Sequence, residues 1–347
     1  MDQRFSFEHV SHCRVLLEAG AELRLPQVLA ALDPDAVFVV YDPGVAEAAA
    51  RIGDSLGADA LLPLRDGVDA KRLDAAGDLA AALHGAGATR ASTVVAVGGG
   101  AATDLVGFVA SIYLRGIALV SCPTTTLAMC DAALGGKNGV DHCGLKNRLG
   151  TIRQPDAVVM DTNWLATLPD ELFCEGLVEV VKKAAVLDAD RFAELERLGA
   201  ALRAREAGAT ARAVEMAVAM KMAVVLDDER EGGRRRTLNA GHTIGHALES
   251  LAAGALRHGE AVAIGLVAEC RAAGVAPEVA ARLGALLRAL GAPTEVPPAL
   301  RDADRLWDLA RRDKKAARGD VPMCVPTTIG DHAVVPLTHA SLQQALA

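Results

Sequence analysis

Between Thr93 and Asp104 a short β-branched run, Thr93-Val94-Val95-Ala96-Val97, meets three consecutive glycines, Gly98-Gly99-Gly100, and an amphipathic segment opens directly behind them. So short an apolar run, closed by glycine, suits a strand buried on both faces better than a helix, and such strands belong to parallel sheets. The order strand, glycine turn, helix also makes an anion site, because glycine lets backbone N–H groups approach closely and a helix N-terminus carries partial positive charge. The triplet is not the spaced dinucleotide fingerprint, and a plain tight turn is the competing reading. A second buried run, Ile117 to Ser121, ends in Pro123-Thr124-Thr125-Thr126, which places hydroxyls at the same strand edge. Beyond it, Asp131, Lys137, Asn138, Asp141, Lys146 and Asn147 crowd one glycine-rich loop. Solvated charge is the usual fate of lysine. Two lysines in this company read instead as a cage for an anionic, hydroxylated ligand.

Val15 to Leu17 and Ala36 to Tyr41 predict further strands, the second closing on Asp42-Pro43-Gly44. There a carboxylate serves a nucleotide ribose or simply a turn. Residues 45–57 and 74–87 predict helices, and Leu61 to Lys71 a polar connection. The alternation gives an α/β fold, with a doubly wound sheet over residues 1–160. From Leu168-Pro169-Asp170 onward strand signals fade and helical spacing takes over, so residues 161–347 read as a second, mainly α-helical domain, with a short strand pair expected at Val321 to Val325 and Pro326 to Gly330. At 347 residues, 51% hydrophobic and 23% charged, the chain has material for two cores. Its net charge of -8 argues against a nucleic-acid or anionic-membrane partner, so an anionic substrate must be met by a local basic pocket. Seven scattered cysteines without a C-x-x-C, the absence of an apolar run of membrane-spanning length, and an N-terminus unlike a leader point to a cytoplasmic protein with reduced thiols.

Three features of the second half place polar groups where a core does not want them. Glu179 and Lys182 share one face of an apolar helix. Lys221 falls on an apolar stripe with Val214, Val218 and Val225, and must be snorkelling, paired or functional. His242 and His246 have the spacing of two metal ligands on a helix, although Thr243 stands where a zinc-protease helix carries an acid, and His258-Gly259-Glu260 follows.

The stretches GGGAATDLVGFVASIYLRG, CPTTTLAMCDAALGGKNGVD, LKN, EGLVEVVKK, DDEREGGRRRTLNAGHTIGHALE and HGEAV, in this order, make the chain resemble the 3-dehydroquinate synthase family of sugar phosphate cyclases over nearly its whole length. The resemblance implies an enzyme that uses NAD and a divalent metal, zinc or cobalt, with an N-terminal Rossmann-like nucleotide-binding domain over residues 1–160 and a mainly α-helical metal- and substrate-binding domain over residues 161–347. It oxidises a ring hydroxyl transiently, eliminates phosphate, reduces the ketone again and closes a carbocycle by aldol addition. Metal ligands carried over from the family fall on Glu179, His242 and His258. The catalytic set falls on Glu231, His246, Lys182 and Asp131, with Glu231 and His246 in proton transfer. Substrate contacts fall on Arg115, Asp131, Lys137, Asn147, Lys182, Lys221, Arg235, Asn239 and His246, with Lys314 or Lys315 closing the cage. Cofactor contacts fall on Asp42, Lys71, Gly98, Gly99, Gly100, Asp104, Thr124, Thr125 and Lys146. Arg115 matches an arginine that reaches a neighbouring subunit, which implies a homodimer.

Departures from the family pattern accompany the match. Val68 stands where an adenosine-side glutamate is usual, Asn138 where threonine is usual, Arg153 where an aromatic is common, and Glu175 adds a negative charge. Lys221, Asn239 and His246 keep the pattern of enzymes whose substrate carries a carboxylate, which favours a phosphorylated sugar acid, a heptulosonate phosphate or its amino analogue. Cyclases of secondary metabolism acting on sedoheptulose or glucose phosphate are the alternative, and metal-dependent alcohol dehydrogenases of the glycerol type are a third class.

Overall fold

The computed structural model describes residues 10–66, 70–143, 145–312 and 321–346. Val68, Lys314 and Lys315 lie outside the described residues. The chain forms two compact units, one of residues up to 124 together with 136–161, the other of residues 125–135 together with those from 162 onward.

In the first unit, strands β1 (Arg14–Glu18), β2 (Val37–Tyr41), β3 (Ala60–Pro63), β4 (Thr93–Gly98), β5 (Ala118–Pro123) and β8 (Ala157–Asp161) form a parallel sheet in the order β1-β8-β5-β4-β2-β3. Helices α1 (Leu25–Ala30), α2 (Ala46–Leu56), α3 (Leu73–Gly85) and α4 (Gly100–Ile112) intervene. Every residue of β4 is buried, which accounts for a run with no polar alternation. The chain moves outward from β2 to β3, then crosses back to β4 and continues to β5 on the other side. That reversal makes the C-terminal ends of β2 and β4 a topological switch point, where open α/β sheets bind ligands.

Two segments differ from the sequence expectation. Residues 61–63, read as polar connection, form the edge strand β3, held by register with β2 despite half-exposed side chains. The glycine-rich loop after Gly136 is a β-hairpin, β6 (Lys137–His142) against β7 (Leu145–Ile152). Its glycines allow close packing: a Cβ on Gly139 would stand 2.8 Å from the Leu149 carbonyl oxygen.

The second unit is built on α5 (Asp170–Leu187), α6 (Ala189–Arg203), α7 (Ala207–Asp227), α8 (His242–Ala252), α9 (His258–Ala272), α10 (Pro277–Ala289), α11 (Ala303–Arg312) and α12 (His339–Leu346). From Glu175 to Val186 every residue of α5 is buried, as in a helix surrounded on all sides. Asp188 ends it and caps α6, accepting from the Arg191 N–H at 3.0 Å. The late strands are β9 (Val321–Thr328) and β10 (Asp331–Leu337), turning at Gly330 instead of after Val325. Pro326 is tolerated inside β9 because a strand of a two-stranded pair is an edge strand. No helix of the described residues is long and apolar enough to cross a membrane.

Candidate active site

In the helical unit, α5, α8 and α9 bring Glu179, His242 and His258 to one point. His242 Nε2 and His258 Nε2 lie 3.8 and 3.9 Å from Glu179 Oε1. A divalent ion with bonds of about 2.0–2.2 Å reaches donor pairs up to roughly 4 Å apart, so the set fits one ion. The ring tautomers suit it too. His242 Nδ1 faces the Ala240 carbonyl oxygen at 3.0 Å and His258 Nδ1 faces Glu249 Oε2 at 3.4 Å, so both δ nitrogens donate and both ε nitrogens keep their lone pairs. Glu179 Oε1 is buried without a hydrogen-bond partner among the described residues, an arrangement that costs several kcal/mol unless a cation meets it. The His246 ring lies 5.0 Å from that of His242 and 5.8 Å from that of His258, beside the three donors.

Next to these donors are buried lysines. Lys182 Nζ lies 2.5 Å from Glu179 Oε2. Lys183 Nζ lies 2.8 Å from Asp131 Oδ1 and 3.3 Å from Glu179 Oε2, and Lys221 Nζ lies 3.1 Å from the same Asp131 Oδ1 while donating to the Asp131 carbonyl at 2.6 Å. Three ammonium groups thus rest on two carboxylates. Burial alone raises both carboxyls, but the neighbouring lysines prevail and hold Asp131 and Glu179 below the usual carboxylate range. The lysines diverge. Against the depressing effect of burial, Asp131 and Glu179 keep the Lys183 ammonium above its ordinary value. Among the described residues Lys221 has only Asp131 as a counter-charge, shared with Lys183, and burial pushes it down to about 8. The cation on an apolar stripe is therefore paired, and incompletely so.

The residues after α7 fold around Asp228, whose carboxylate accepts from the N–H groups of Gly232, Gly233 and Arg235 at 2.7, 2.8 and 2.8 Å. This turn holds Glu231 at φ 61, a left-handed conformation costly for a non-glycine residue and frequent at functional sites. Glu231 accepts from Asn239 Nδ2 at 2.9 Å. Of the three arginines 234–236 the middle one turns inward: Arg235 is 2% exposed, and its guanidinium donates to the carbonyls of Glu229 and Gly135.

In the α/β unit the glycine turn and Asp42 meet at the switch point. A Cβ on Gly98 would lie 2.7 Å from Ala102 Cβ and 2.9 Å from Asp42 Cβ. Asp42 caps its own turn, accepting from Gly44 N–H at 2.8 Å with one carboxylate oxygen. Gly99 precedes the first residue of α4, Gly100, and Thr124 N–H donates to the Gly98 carbonyl at 2.9 Å. Lys71 Nζ joins Asp104 Oδ2 at 2.6 Å and Asn147 Oδ1 at 2.5 Å, so two residues read as cofactor contacts and one read as a substrate contact converge here. Asn147 and Arg115 stand at φ 51 and φ 70. Lys137, Lys146 and Arg115 are exposed. Thr125 belongs to the helical unit, where its Oγ1 accepts from the Ala128 N–H at 3.1 Å. Two of the departures have structural roles. Asn138 donates to the Gly136 and Arg153 carbonyls, and Arg153 donates to the Ala110 carbonyl at the end of α4.

Sequence reading missed Lys183, Glu249 and Glu269. Lys183 has a signal, the second charge of a lysine pair inside a helix otherwise apolar at that point. Glu249 and Glu269 have none, since one acid on a helix reads as solvated.

A switch-point glycine turn in a parallel sheet and a Glu-His-His donor set with buried lysines define the class of enzymes that combine a nucleotide cofactor with a divalent metal. Residues 61–175 match the family model for the 3-dehydroquinate synthase N-terminal region and residues 176–316 that for its C-terminal region. A 3-dehydroquinate synthase of Geobacter metallireducens is 41% identical over 329 residues, 92% of this chain and 89% of the relative. The chain belongs to the 3-dehydroquinate synthase family. Among solved structures, 2-epi-5-epi-valiolone synthase of Streptomyces hygroscopicus subsp. jinggangensis, with NAD+ and Zn2+ bound, superposes with TM-score 0.86 at 29% identity, covering 99% of this chain and 98% of that one. A 2-deoxy-scyllo-inosose synthase complexed with carbaglucose-6-phosphate, NAD+ and Co2+ shares the fold at TM-score 0.82 and 24% identity, over 96% of this chain and 95% of that one.

Proposed function

We propose that this protein is an NAD- and metal-dependent cyclase that converts a heptulosonate phosphate to a carbocycle with loss of phosphate. The observation that carries the reading is the set of three buried lysines on two carboxylates beside the metal donors. A surplus of buried cations is costly without an anion to receive, and an alcohol dehydrogenase acting on a small neutral substrate has no use for it. When bound, NAD takes up and returns a hydride and the metal polarises substrate oxygens, so that the neighbouring C–H becomes acidic enough for phosphate to leave.

The chain's own groups do the rest. Glu179, His242 and His258 hold the metal. Lys221 and Arg235 receive the carboxylate, with Asn239 beside them. Arg235 uses two of its five N–H donors on backbone carbonyls and keeps the others for the ligand. Glu231 and His246 carry protons, Glu231 as a carboxylate fixed by Asn239 and His246 as a half-buried imidazole next to the metal donors. Lys182 and Asp131 complete the catalytic set. The switch-point residues Asp42, Gly98, Gly99, Gly100, Asp104 and Thr124 bind NAD, with Lys71 bridging Asp104. Arg115, presented on a strained turn, reaches a second copy in a homodimer. Seven free thiols support a cytoplasmic setting.

Incubation with NAD, zinc or cobalt, and either a heptulosonate phosphate or sedoheptulose phosphate, followed by product identification, tests the reading. We expect a cyclic keto acid and free phosphate from the sugar acid. Equal turnover of sedoheptulose phosphate would move the chain to the valiolone branch.

A further inference from the structure

The N-terminus of α8 carries a metal ligand and has no cap of its own. His242 is its first residue, and the capping position is Gly241. Glycine is required there: φ is 74, and a Cβ would stand 2.6 Å from Leu266 Cγ and 2.8 Å from the Val262 carbonyl oxygen on α9. The same helices meet again where a Cβ on Gly265 would fall 2.1 Å from the Gly241 oxygen. So close an approach leaves no room for the Ser, Thr, Asp or Asn side chain that normally accepts the third N–H of a helix. A residue of α9 takes that place. Glu269 is 0% exposed, its Oε1 accepts from the Ile244 N–H at 2.8 Å, and its Oε2 accepts from the Gly241 N–H at 2.8 Å.

The second of these bonds leads to the metal ligand. The Gly241 N–H belongs to the same peptide plane as the Ala240 carbonyl, and that carbonyl faces His242 Nδ1 at 3.0 Å. A carboxylate on one end of a peptide group polarises the oxygen at the other end, and chained hydrogen bonds strengthen one another at low dielectric. The imidazole that donates to a more negative oxygen is a better metal base and is fixed in its tautomer. His258 has the direct form of this arrangement, its Nδ1 facing Glu249. We propose that Glu269 is a positioning residue of the metal centre, acting on His242 through the Ala240–Gly241 peptide while locking the first turn of α8 to the helix that carries His258. The proposal rests on the metal reading above.

The test is zinc affinity by chelator competition and the visible spectrum of the cobalt form, with melting of the metal-free protein alongside, for wild type, Glu269→Gln, Glu269→Ala and the control Leu248→Ala. Leu248 is fully buried on the same α8, and its side chain has no hydrogen-bonding group. Outer hydrogen-bond partners of metal-bound histidines are typically worth about 10–100-fold in affinity. We expect Glu269→Gln to weaken zinc by at least about tenfold within that range and to shift the cobalt spectrum. Leu248→Ala should lower the melting temperature and leave zinc affinity near wild type. The near-isosteric glutamine keeps the test valid where alanine fails to fold. Wild-type zinc affinity and an unchanged cobalt spectrum in Glu269→Gln would overturn the proposal, as would an equal loss of affinity in Leu248→Ala. Wild-type protein that binds no zinc would instead refute the metal site itself.

Discussion

Replacing Lys221 by methionine should stabilise the ligand-free protein while crippling its affinity for substrate. Methionine preserves most of the stem and removes the ammonium. The lysine's pKa falls from 10.5 to about 8, chiefly through burial and against the pull of Asp131. At about 1.4 kcal/mol per pH unit, holding that charge in the folded state costs about 3 kcal/mol. The hydrogen bond from Lys221 to the Asp131 carbonyl is lost in the variant and takes back about 1 kcal/mol, leaving a net gain of about 2 kcal/mol. Between pH 8 and 10.5 the folded chain binds fewer protons at this site than the unfolded chain, so wild-type stability climbs with pH across that window. The advantage of Lys221→Met is therefore full below pH 8 and gone by 10.5. Urea unfolding at pH 7 and above 10 measures it, and fluorescence reports the right unit, because both tryptophans, Trp164 and Trp307, lie with Lys221 in the helical unit. In turnover the same variant should raise KM for a heptulosonate phosphate by about 2–5 kcal/mol of lost charge pairing. A variant less stable than wild type at pH 7, or an advantage that grows with pH, would show that burial of the Lys221 ammonium carries no such cost.

Lys183→Met should act in the opposite direction, destabilising by about 3–5 kcal/mol, because it deprives the buried Asp131 and Glu179 of a partner; urea midpoints at pH 7 decide the sign. His242→Ala removes one of three donors, and metal analysis after dialysis should find the stoichiometric zinc gone with the circular dichroism spectrum retained. Gly176→Ala would set a Cβ 2.3 Å from the Thr126 carbonyl carbon, pushing α5 off the segment that carries Asp131; overpacking of this kind costs about 1–3 kcal/mol, and zinc affinity should fall with stability.

The sheet and the donor set were legible for different reasons. Strands β2 and β4 announce themselves by apolar runs closed with Asp42 and with glycine. Glu179, His242 and His258 stand in long motifs, and their convergence needs only the helices that carry them. The hairpin β6–β7 was not legible, since Gly136, Gly139 and Gly150 read as loop until close packing of the two strands explains them. Edge strand β3 is too short for periodicity to identify. Lys183 carries a signal in the lysine pair, but not its partner Asp131, and Glu269 was hidden for a deeper reason: a charge on an apolar helix looks the same in sequence whether it is solvated or capping a neighbouring helix. Arg235 shows the converse. Three arginines in a row look like a solvated face; the family pattern singles out the middle one, and the turn built by Asp228 accounts for its burial.

The cyclase reading is tested most directly by following phosphate and reduced nicotinamide together in one reaction, with zinc or cobalt, a heptulosonate phosphate in large excess and NAD at a small fraction of it. We expect phosphate release to exceed the NAD supplied many times over, with no net accumulation of NADH. Reduced nicotinamide growing in proportion to the substrate consumed, without phosphate release, would contradict it.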